Sequence, residues 1–306
     1  MRYNPRARLD SSQVESRRGG GGGFGGGGGR LPVGGAGLGV GGGIGGVIVL
    51  VIILLLQSQG GGSDDGSGAG AADPGTSLDQ CRTGRDANQD QDCALVADVN
   101  SIQSFWAEEL PRQSRVDYTV ARTEIFTQRV QTGCGAATSD AGPFYCPRDK
   151  HVYLDTTFFT DMLEGRLGAK GGQFSTAYVL AHEYGHHVQD LLGRMDKVGT
   201  AQGATSGSVR LELQADCYAG MWAKHATTAD DSTGQAYITD LTRNDVALAL
   251  DAAAAVGDDR LQRETTGRVQ PESWTHGSAA SRMRWFETGF DQGTLRACDT
   301  FSAPRL

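Results

Sequence analysis

Residues 181–186 read Ala-His-Glu-Tyr-Gly-His, within a helix that the sequence predicts over residues 175–192. Side chains four positions apart lie on the same face of a helix, so His182 and His186 can direct both imidazoles at one metal ion. Glu183 is rotated by about 100° from His182, and its carboxylate is therefore expected beside the metal rather than on it. From there it can take a proton from a zinc-activated water and later pass it to a leaving amine. The spacing predicts one zinc ion per chain, with Glu183 as general base.

A third protein ligand has to come from another part of the chain. The third and sixth residues after His186 are Gln189 and Leu192. Metzincin sites carry glycine and histidine at those positions, so that class is excluded. Residues 210–216 read Arg-Leu-Glu-Leu-Gln-Ala-Asp on a second predicted helix. Glu212 from this helix completes a set of two histidines and one glutamate, which catalytic zinc sites use.

Asp216 follows Glu212 by one helical turn and is the candidate for a supporting role. Its carboxylate can accept the free ring N–H of His182 or His186, which would fix the tautomer of that ligand. The alternative is that Glu212 and Asp216 belong to a solvated acidic face. The apolar residues that follow, such as Leu213, indicate instead that this helix packs.

The charge of the chain is unevenly distributed. Residues 1–32 contain six arginines and only two acidic residues, and since the whole chain carries −8, the remainder carries −12. An acidic globular part argues against nucleic acid as the main partner, because phosphate binding needs a basic surface. The dense glycine block from Gly19 to Gly46 has almost nothing to bury, so we expect it to be disordered.

An uncharged stretch over residues 31–59 contains the apolar run VIVLVIILLL at 47–56. Counted from Val33, the stretch is long enough to cross a hydrocarbon core of ~30 Å. No small-residue cleavage site follows it directly, which favours a membrane anchor over a signal peptide. Arginines precede the stretch and the next basic residue is Arg82, so we expect a cytoplasmic N-terminus and an extracytoplasmic domain. The predicted parts are a disordered, basic, Gly-rich cytoplasmic arm (1–32), a transmembrane helix (33–56), a flexible linker (57–80) and a globular domain (81–306).

Six cysteines follow this stretch, and no two of them form a C-x-x-C pair, so a structural zinc ribbon is not expected. Their even number suits disulfides in an oxidising compartment. Buried free thiols in a cytosolic protein are the alternative. The pairing that local spacing suggests, one of several possible connectivities, is Cys81–Cys93, Cys134–Cys146 and Cys217–Cys298.

The pattern of the globular part predicts a few strands followed mostly by helices. Strand-like residues occur within 116–132 and over 151–155. Apolar residues at helical spacing predict helices over 96–110, 158–163, 175–192, 208–225, 240–255 and 278–290. This order of elements indicates an α+β domain that is mostly helical with a small sheet.

Together, His182-Glu183-x-x-His186 and Glu212-x-x-Ala215-Asp216 resemble the gluzincin arrangement of membrane-associated peptidases of the heat-shock HtpX type. The wider pattern is still more similar to the bacterial putative neutral zinc metallopeptidase family, single-span membrane proteins with this domain outside. The resemblance implies a zincin-like metallopeptidase domain and peptidase activity, without a particular substrate. The segments that carry it are the arginine- and glycine-rich arm, the apolar stretch, GPFYCPRDKHVYLD, AHEYGHHVQ, ELQADCYAGMWA and THGSAASRMRWF.

A later segment, Thr275-His276-Gly277 with Arg282 six residues after the histidine, resembles the His-x5-Arg segment near the end of the same gluzincins. Gly277 stands where those peptidases usually have proline. The resemblance implies that His276 or Arg282 stabilises the oxyanion of the tetrahedral intermediate. The alternative is a helix-capping turn that only directs packing.

The sequence therefore predicts a zinc metallopeptidase, an endopeptidase acting on peptide or protein substrates. It is expected to be held in the plasma or inner membrane by one span in the lipid bilayer. Two alternatives stay open: a non-catalytic envelope binding module stabilised by zinc and disulfides, and a hydrolase of cell-wall amide bonds. Glu183 argues against the binding module, since a purely structural zinc site does not require it.

Overall fold

The computed structural model describes residues 1–18 and 77–306, and both segments contribute strands. The strands are β1 (Arg2–Tyr3), β2 (Val14–Ser16), β3 (Arg122–Phe126), β4 (Arg129–Thr132), β5 (Gly135–Thr138), β6 (Phe144–Cys146), β7 (His151–Asp155) and β8 (Ile238–Asp240). The helices are α1 (Gly84–Ala87), α2 (Gln91–Ser114), α3 (Gln173–Leu191), α4 (Gly207–His225), α5 (Arg243–Ala255), α6 (Asp258–Thr266) and α7 (Ala279–Gln292), with a π-helical segment at Phe158–Glu164. The predicted mixture of helices with a small sheet is confirmed.

A four-stranded mixed sheet lies beside the helices, in the order β2-β3-β7-β6. β3 pairs in parallel with β2 and β7, whereas β6 pairs antiparallel with β7 at the edge. Alternate side chains of a strand point to opposite faces of the sheet. Ile125, Val152 and Leu154 accordingly join the main core with the helices, while Phe126 and Tyr153 join a smaller cluster with the β4–β5 hairpin.

Close packing of three helices determines where the polar residues of the interior meet. A Cβ atom at Gly289 on α7 would lie 1.8 Å from the backbone oxygen of Cys217 on α4, so glycine allows these two helices to touch. Gly185 on α3 similarly faces Ala215 on α4, where an added Cβ would lie 3.1 Å from the Ala215 Cα. α4 therefore lies directly against both α3 and α7. Ser206 caps the N-terminus of α4, because its hydroxyl accepts the backbone N–H of Val209 at 3.3 Å.

Residues 1–18 pack on the surface of α2, which differs from the predicted disordered arm. The backbone N–H of Asp10 donates to Asn100 Oδ1 at 2.7 Å, and Asn100 Nδ2 donates back to the Asp10 carbonyl at 3.0 Å. Gln103 Nε2 donates to Gln13 Oε1 at 2.7 Å. Buried amide groups need hydrogen-bond partners, and this segment supplies partners for Asn100 and Gln103. The rest of the predicted arm, together with residues 19–76 as a whole, lies outside the described residues.

The predicted membrane architecture is corrected by two findings. The predicted span at 33–56 lies outside the described residues, and among residues 1–18 and 77–306 no helix has both the length and the apolar character needed to cross a bilayer. In addition, β2 pairs with β3, so the N-terminal segment and the domain share one sheet. A single crossing between them would put these strands on opposite sides of a membrane. The fold class with a preceding transmembrane helix is therefore wrong, as is single-pass localisation with a cytoplasmic N-terminus and an extracytoplasmic domain.

All six cysteines form disulfides, and the pairing expected from local spacing is confirmed. The bonds are Cys81–Cys93, Cys134–Cys146 and Cys217–Cys298. The third bond connects α4 to the segment after α7, and the sequence separation of its cysteines is 81 residues. It therefore joins the helix that carries Glu212 to the C-terminal part of the chain.

Candidate metal centre

The three predicted ligands, His182, His186 and Glu212, meet at one point between α3 and α4. One nitrogen of His182, one of His186 and one oxygen of Glu212 all lie within 4.8 Å of one another. His182 Nε2 is 3.2 Å from Glu212 Oε2, and His186 Nε2 is 3.5 Å from Glu212 Oε1. The contact of Gly185 with Ala215 brings the two helices close enough for a glutamate side chain to reach both imidazoles.

The donor set fits a zinc ion. Zinc in catalytic sites takes nitrogen and oxygen ligands from three side chains and keeps one position open. Glu212 Oε1 is buried and has no hydrogen-bond partner among the described residues, although buried carboxylate oxygens are normally paired. A cation between the two imidazoles and this carboxylate would satisfy that oxygen.

Asp216 contacts His182, and Arg282 contacts Asp216. Asp216 Oδ1 lies 2.8 Å from His182 Nδ1 and also accepts the Tyr178 hydroxyl at 2.5 Å. Arg282 donates from Nε to Oδ2 and from Nη2 to Oδ1, both at 2.8 Å. Burial alone would raise the pKa of Asp216, but Arg282 and His182 hold that pKa well below its usual range. The buried carboxylate is therefore ionised.

The two histidines differ in their protonation. Burial alone would lower the pKa of His182, yet Asp216 and Glu212 raise it to about 10, so a proton occupies the side that faces Glu212. Burial lowers the pKa of His186 to about 4, and this ring is neutral. Burial would raise the pKa of Glu212, but the imidazoles lower it far below its usual range. The proton on His182 occupies the position that a metal ion would take.

Glu183 lies in the same cavity and is buried. Burial raises the pKa of Glu183 to about 8, because it removes the water that would stabilise the charged carboxylate. The backbone of Tyr145, in edge strand β6, opposes this rise in the pKa of Glu183. A carboxyl group with a pKa near neutrality can both accept and release a proton under physiological conditions.

His276 is held by Asp258, a residue that the sequence did not suggest. Asp258 Oδ2 accepts the backbone N–H groups of Thr275, His276 and Gly277 at 2.8, 2.7 and 2.9 Å. Its Oδ1 lies 3.3 Å from His276 Nδ1. Burial would lower the pKa of His276, but Asp258 and Glu212 raise it. The turn is thus built around one carboxylate, and the imidazole contributes to the cavity wall.

The predicted site residues surround a cavity of about 370 Å³. Its polar wall includes His182, His186, Glu212, Glu183, His276 and Arg282, so the structure brings every predicted site residue to one place except Asp216, which lies behind His182. Apolar side chains form much of the remaining wall, among them Phe158, Met162, Val179 and Leu211.

The sequence reasoning missed two supporting residues besides Asp258. Tyr178 donates to Asp216, and Gln189 contacts His186 Nδ1 at 2.8 Å. Tyr178 precedes His182 by one helical turn, and Gln189 follows His186 by three positions, so both lie on the ligand face of α3. That spacing is the signal that could have identified them.

Comparisons with known proteins identify the family of the chain. The model of a family described as putative neutral zinc metallopeptidase matches residues 1–301. An uncharacterized protein of Mycobacterium tuberculosis is 52% identical over 235 residues, which cover 76% of this chain and 78% of the relative. The uncharacterized protein YpfJ of Escherichia coli is 43% identical over 207 residues, which cover 66% of this chain and 68% of the relative. No solved structure matches the chain. The chain belongs to the putative neutral zinc metallopeptidase family.

Proposed function

We propose that this protein is a zinc-dependent endopeptidase in which His182, His186 and Glu212 hold the metal and Glu183 is the general base. The observation that carries the proposal is the position of Glu183. Glu183 lines the same cavity as the three proposed ligands but is not one of the side chains grouped around the metal position. Burial raises its pKa to about 8. A site that only held a structural metal would gain nothing from a buried carboxylate that binds neither the metal nor a ligand.

Zinc, when bound here, would polarise the scissile carbonyl and make a water molecule more acidic. Glu183 takes the proton of the attacking water on its carboxylate and transfers it to the leaving amine nitrogen. Asp216 keeps the Nδ1 proton of His182 fixed, so that Nε2 of the same ring faces the metal position.

His276 is the residue that we assign to the oxyanion. Its Nδ1 side is occupied by Asp258 and Thr275, and among the described residues no hydrogen bond is made by Nε2. An N–H at Nε2 can therefore donate to the oxygen that becomes negative in the tetrahedral intermediate. Arg282 has a different role, because Nε and Nη2 are both used by Asp216. We assign Arg282 to holding Asp216 in place.

Strand β6 supplies a binding surface for an extended peptide. It pairs with β7 on one side only among the described strands, and its residues Phe144 and Tyr145 line the cavity beside Glu183. An extended peptide can pair with an unpaired strand edge through backbone hydrogen bonds, and this pairing does not depend on the side chains of the peptide. This arrangement favours cleavage within a chain rather than at its end.

The test uses the full chain, because residues 1–18 are part of the fold. Zinc content and cleavage of unfolded protein and of a broad peptide library are measured for the wild type, Glu183→Gln and the control Glu264→Gln, whose side chain is exposed on α6. We expect one zinc ion per chain in all three and loss of cleavage only in Glu183→Gln. Zinc-independent cleavage, or full activity of Glu183→Gln, would contradict the mechanism. Digestion of muropeptides without cleavage of peptides would support an amide hydrolase instead.

A further inference from the structure

Gln189 makes three hydrogen bonds that connect both ligand helices. Its side chain is fully buried, one helical turn after His186. Gln189 Oε1 lies 2.8 Å from His186 Nδ1. Its Nε2 donates to the backbone oxygen of Leu211 at 2.7 Å and to Gln214 Oε1 at 3.3 Å. Leu211 immediately precedes the ligand Glu212, so one amide contacts the surroundings of two metal ligands.

The direction of these hydrogen bonds is determined by the backbone. The Leu211 carbonyl can only accept, so the NH₂ end of Gln189 must face it. A flipped amide would place two oxygens 2.7 Å apart. With the NH₂ end fixed, Oε1 faces His186 and accepts, so the proton of this ring must be on Nδ1. The lone pair of Nε2 then faces Glu212 and the metal position, as a ligand requires.

The partners of the two histidines differ in charge. His182 is held by the carboxylate of Asp216, whereas His186 is held by a neutral amide. The carboxyl groups of Glu183, Glu212 and Asp216 are already buried beside the two histidines. A carboxylate in place of Gln189 would add another buried charge, and an amide accepts the same hydrogen bond without doing so.

We infer that Gln189 is a positioning residue that fixes His186 in the tautomer protonated at Nδ1 and joins α3 to α4 beside Glu212. The inference rests on the proposed zinc site. It assigns to Gln189 no contact with substrate, and it predicts an effect on the tautomer of His186 in metal-free protein as well as on zinc affinity. These two readouts do not depend on peptide cleavage.

The experiment compares the wild type with Gln189→Leu, Gln189→Glu and the control Gln103→Leu. Gln103 is also a buried amide on a helix, but its partners are Gln13, Tyr118 and Ala121, away from the site. Ring nitrogens are observed by long-range ¹H–¹⁵N correlation spectra of metal-free, histidine-labelled full chain, and His186 is assigned from a His186→Ala spectrum. Zinc affinity is measured by competition with a chelator.

We expect His186 to be protonated at Nδ1 in the wild type and in Gln189→Glu, which keeps an acceptor at this position. Gln189→Leu should shift the ring toward protonation at Nε2 and weaken zinc binding by roughly 10–100-fold. Gln103→Leu should lower the unfolding temperature without changing the tautomer.

Two results would overturn the inference: an Nε2-protonated His186 in the wild type, or a Gln189→Leu variant whose tautomer and zinc affinity match the wild type. If Gln189→Leu does not fold, the wild-type and Gln189→Glu spectra still decide the tautomer. If the wild type binds zinc but cleaves nothing, the proposed function fails while the tautomer result stands, so the two failures are distinguishable.

Discussion

The ion pair between Asp216 and Arg282 provides a quantitative test of how the site is held. Arg282 donates to both carboxylate oxygens at 2.8 Å, and the side chains are 0% and 4% exposed. Removing one partner of such a pair leaves a buried charge without compensation, which costs about 3–5 kcal/mol of folding free energy. We therefore expect Asp216→Asn and Arg282→Met each to lower the free energy of unfolding by about this amount.

The double variant Asp216→Asn/Arg282→Met removes both charges, and we expect it to cost at least about 2 kcal/mol less than the sum of the single variants. The assay is urea unfolding in the presence of a chelator, followed by tryptophan fluorescence and circular dichroism. Arg122→Met is the control, because Arg122 and Glu15 form an exposed pair whose side chains are 56% and 38% accessible, and exposed pairs contribute less than about 1 kcal/mol. Single variants that cost less than about 1 kcal/mol, or strictly additive effects, would refute the reasoning.

Three further predictions follow from the same structure. Burial alone would lower the pKa of His182, but the neighbouring carboxylates raise it from 6.5 to about 10. Protonated His182 therefore stabilises the metal-free protein fully below pH 6.5, and this stabilisation is lost as the pH rises toward 10. Zinc must displace that proton, and chelator competition should show zinc affinity rising by about tenfold per pH unit between pH 7 and 9. Asp258→Asn should lower kcat by roughly 10–100-fold through misplacement of His276, with KM and zinc content unchanged in steady-state and metal assays. Gly289→Ala should lower the free energy of unfolding by more than about 2 kcal/mol, because its Cβ would meet a backbone oxygen at 1.8 Å, whereas Gly199→Ala, with nothing within 4 Å, should be nearly neutral in urea titrations.

The part of the site that follows helical periodicity was predictable. His182, His186 and Glu183 are fixed relative to one another by the geometry of one helix, and Glu212 and Asp216 by that of another. The helices themselves have strong apolar patterns, so their boundaries agree with the prediction within a few residues. Local periodicity, however, does not indicate which helices pack against each other. Those contacts depend on glycines such as Gly185 and Gly289, whose role is evident only in the folded structure.

The remaining features depend on contacts without a periodic signal. Asp258 accepts hydrogen bonds from three successive backbone N–H groups at residues 275–277. This interaction leaves no pattern in the sequence. The N-terminal segment is short, polar and rich in arginine, which is typical of a disordered arm. Its partners Asn100 and Gln103 lie on the buried face of α2, where the sequence alone offers no reason for buried amides. Matching these two polar surfaces requires the tertiary structure.

The pairing of the first strand with one of the last has a consequence for the time course of synthesis. Tyr3 pairs with Ile238, so β1 meets this partner only after the residues between the two strands have been made. At about 5–20 residues per second, that delay is on the order of 10–50 s. Arg282 is synthesised later still, and contacts between distant parts of a chain form slowly. A growing chain therefore carries His182 and Glu183 for some time before Arg282 is available to bind Asp216.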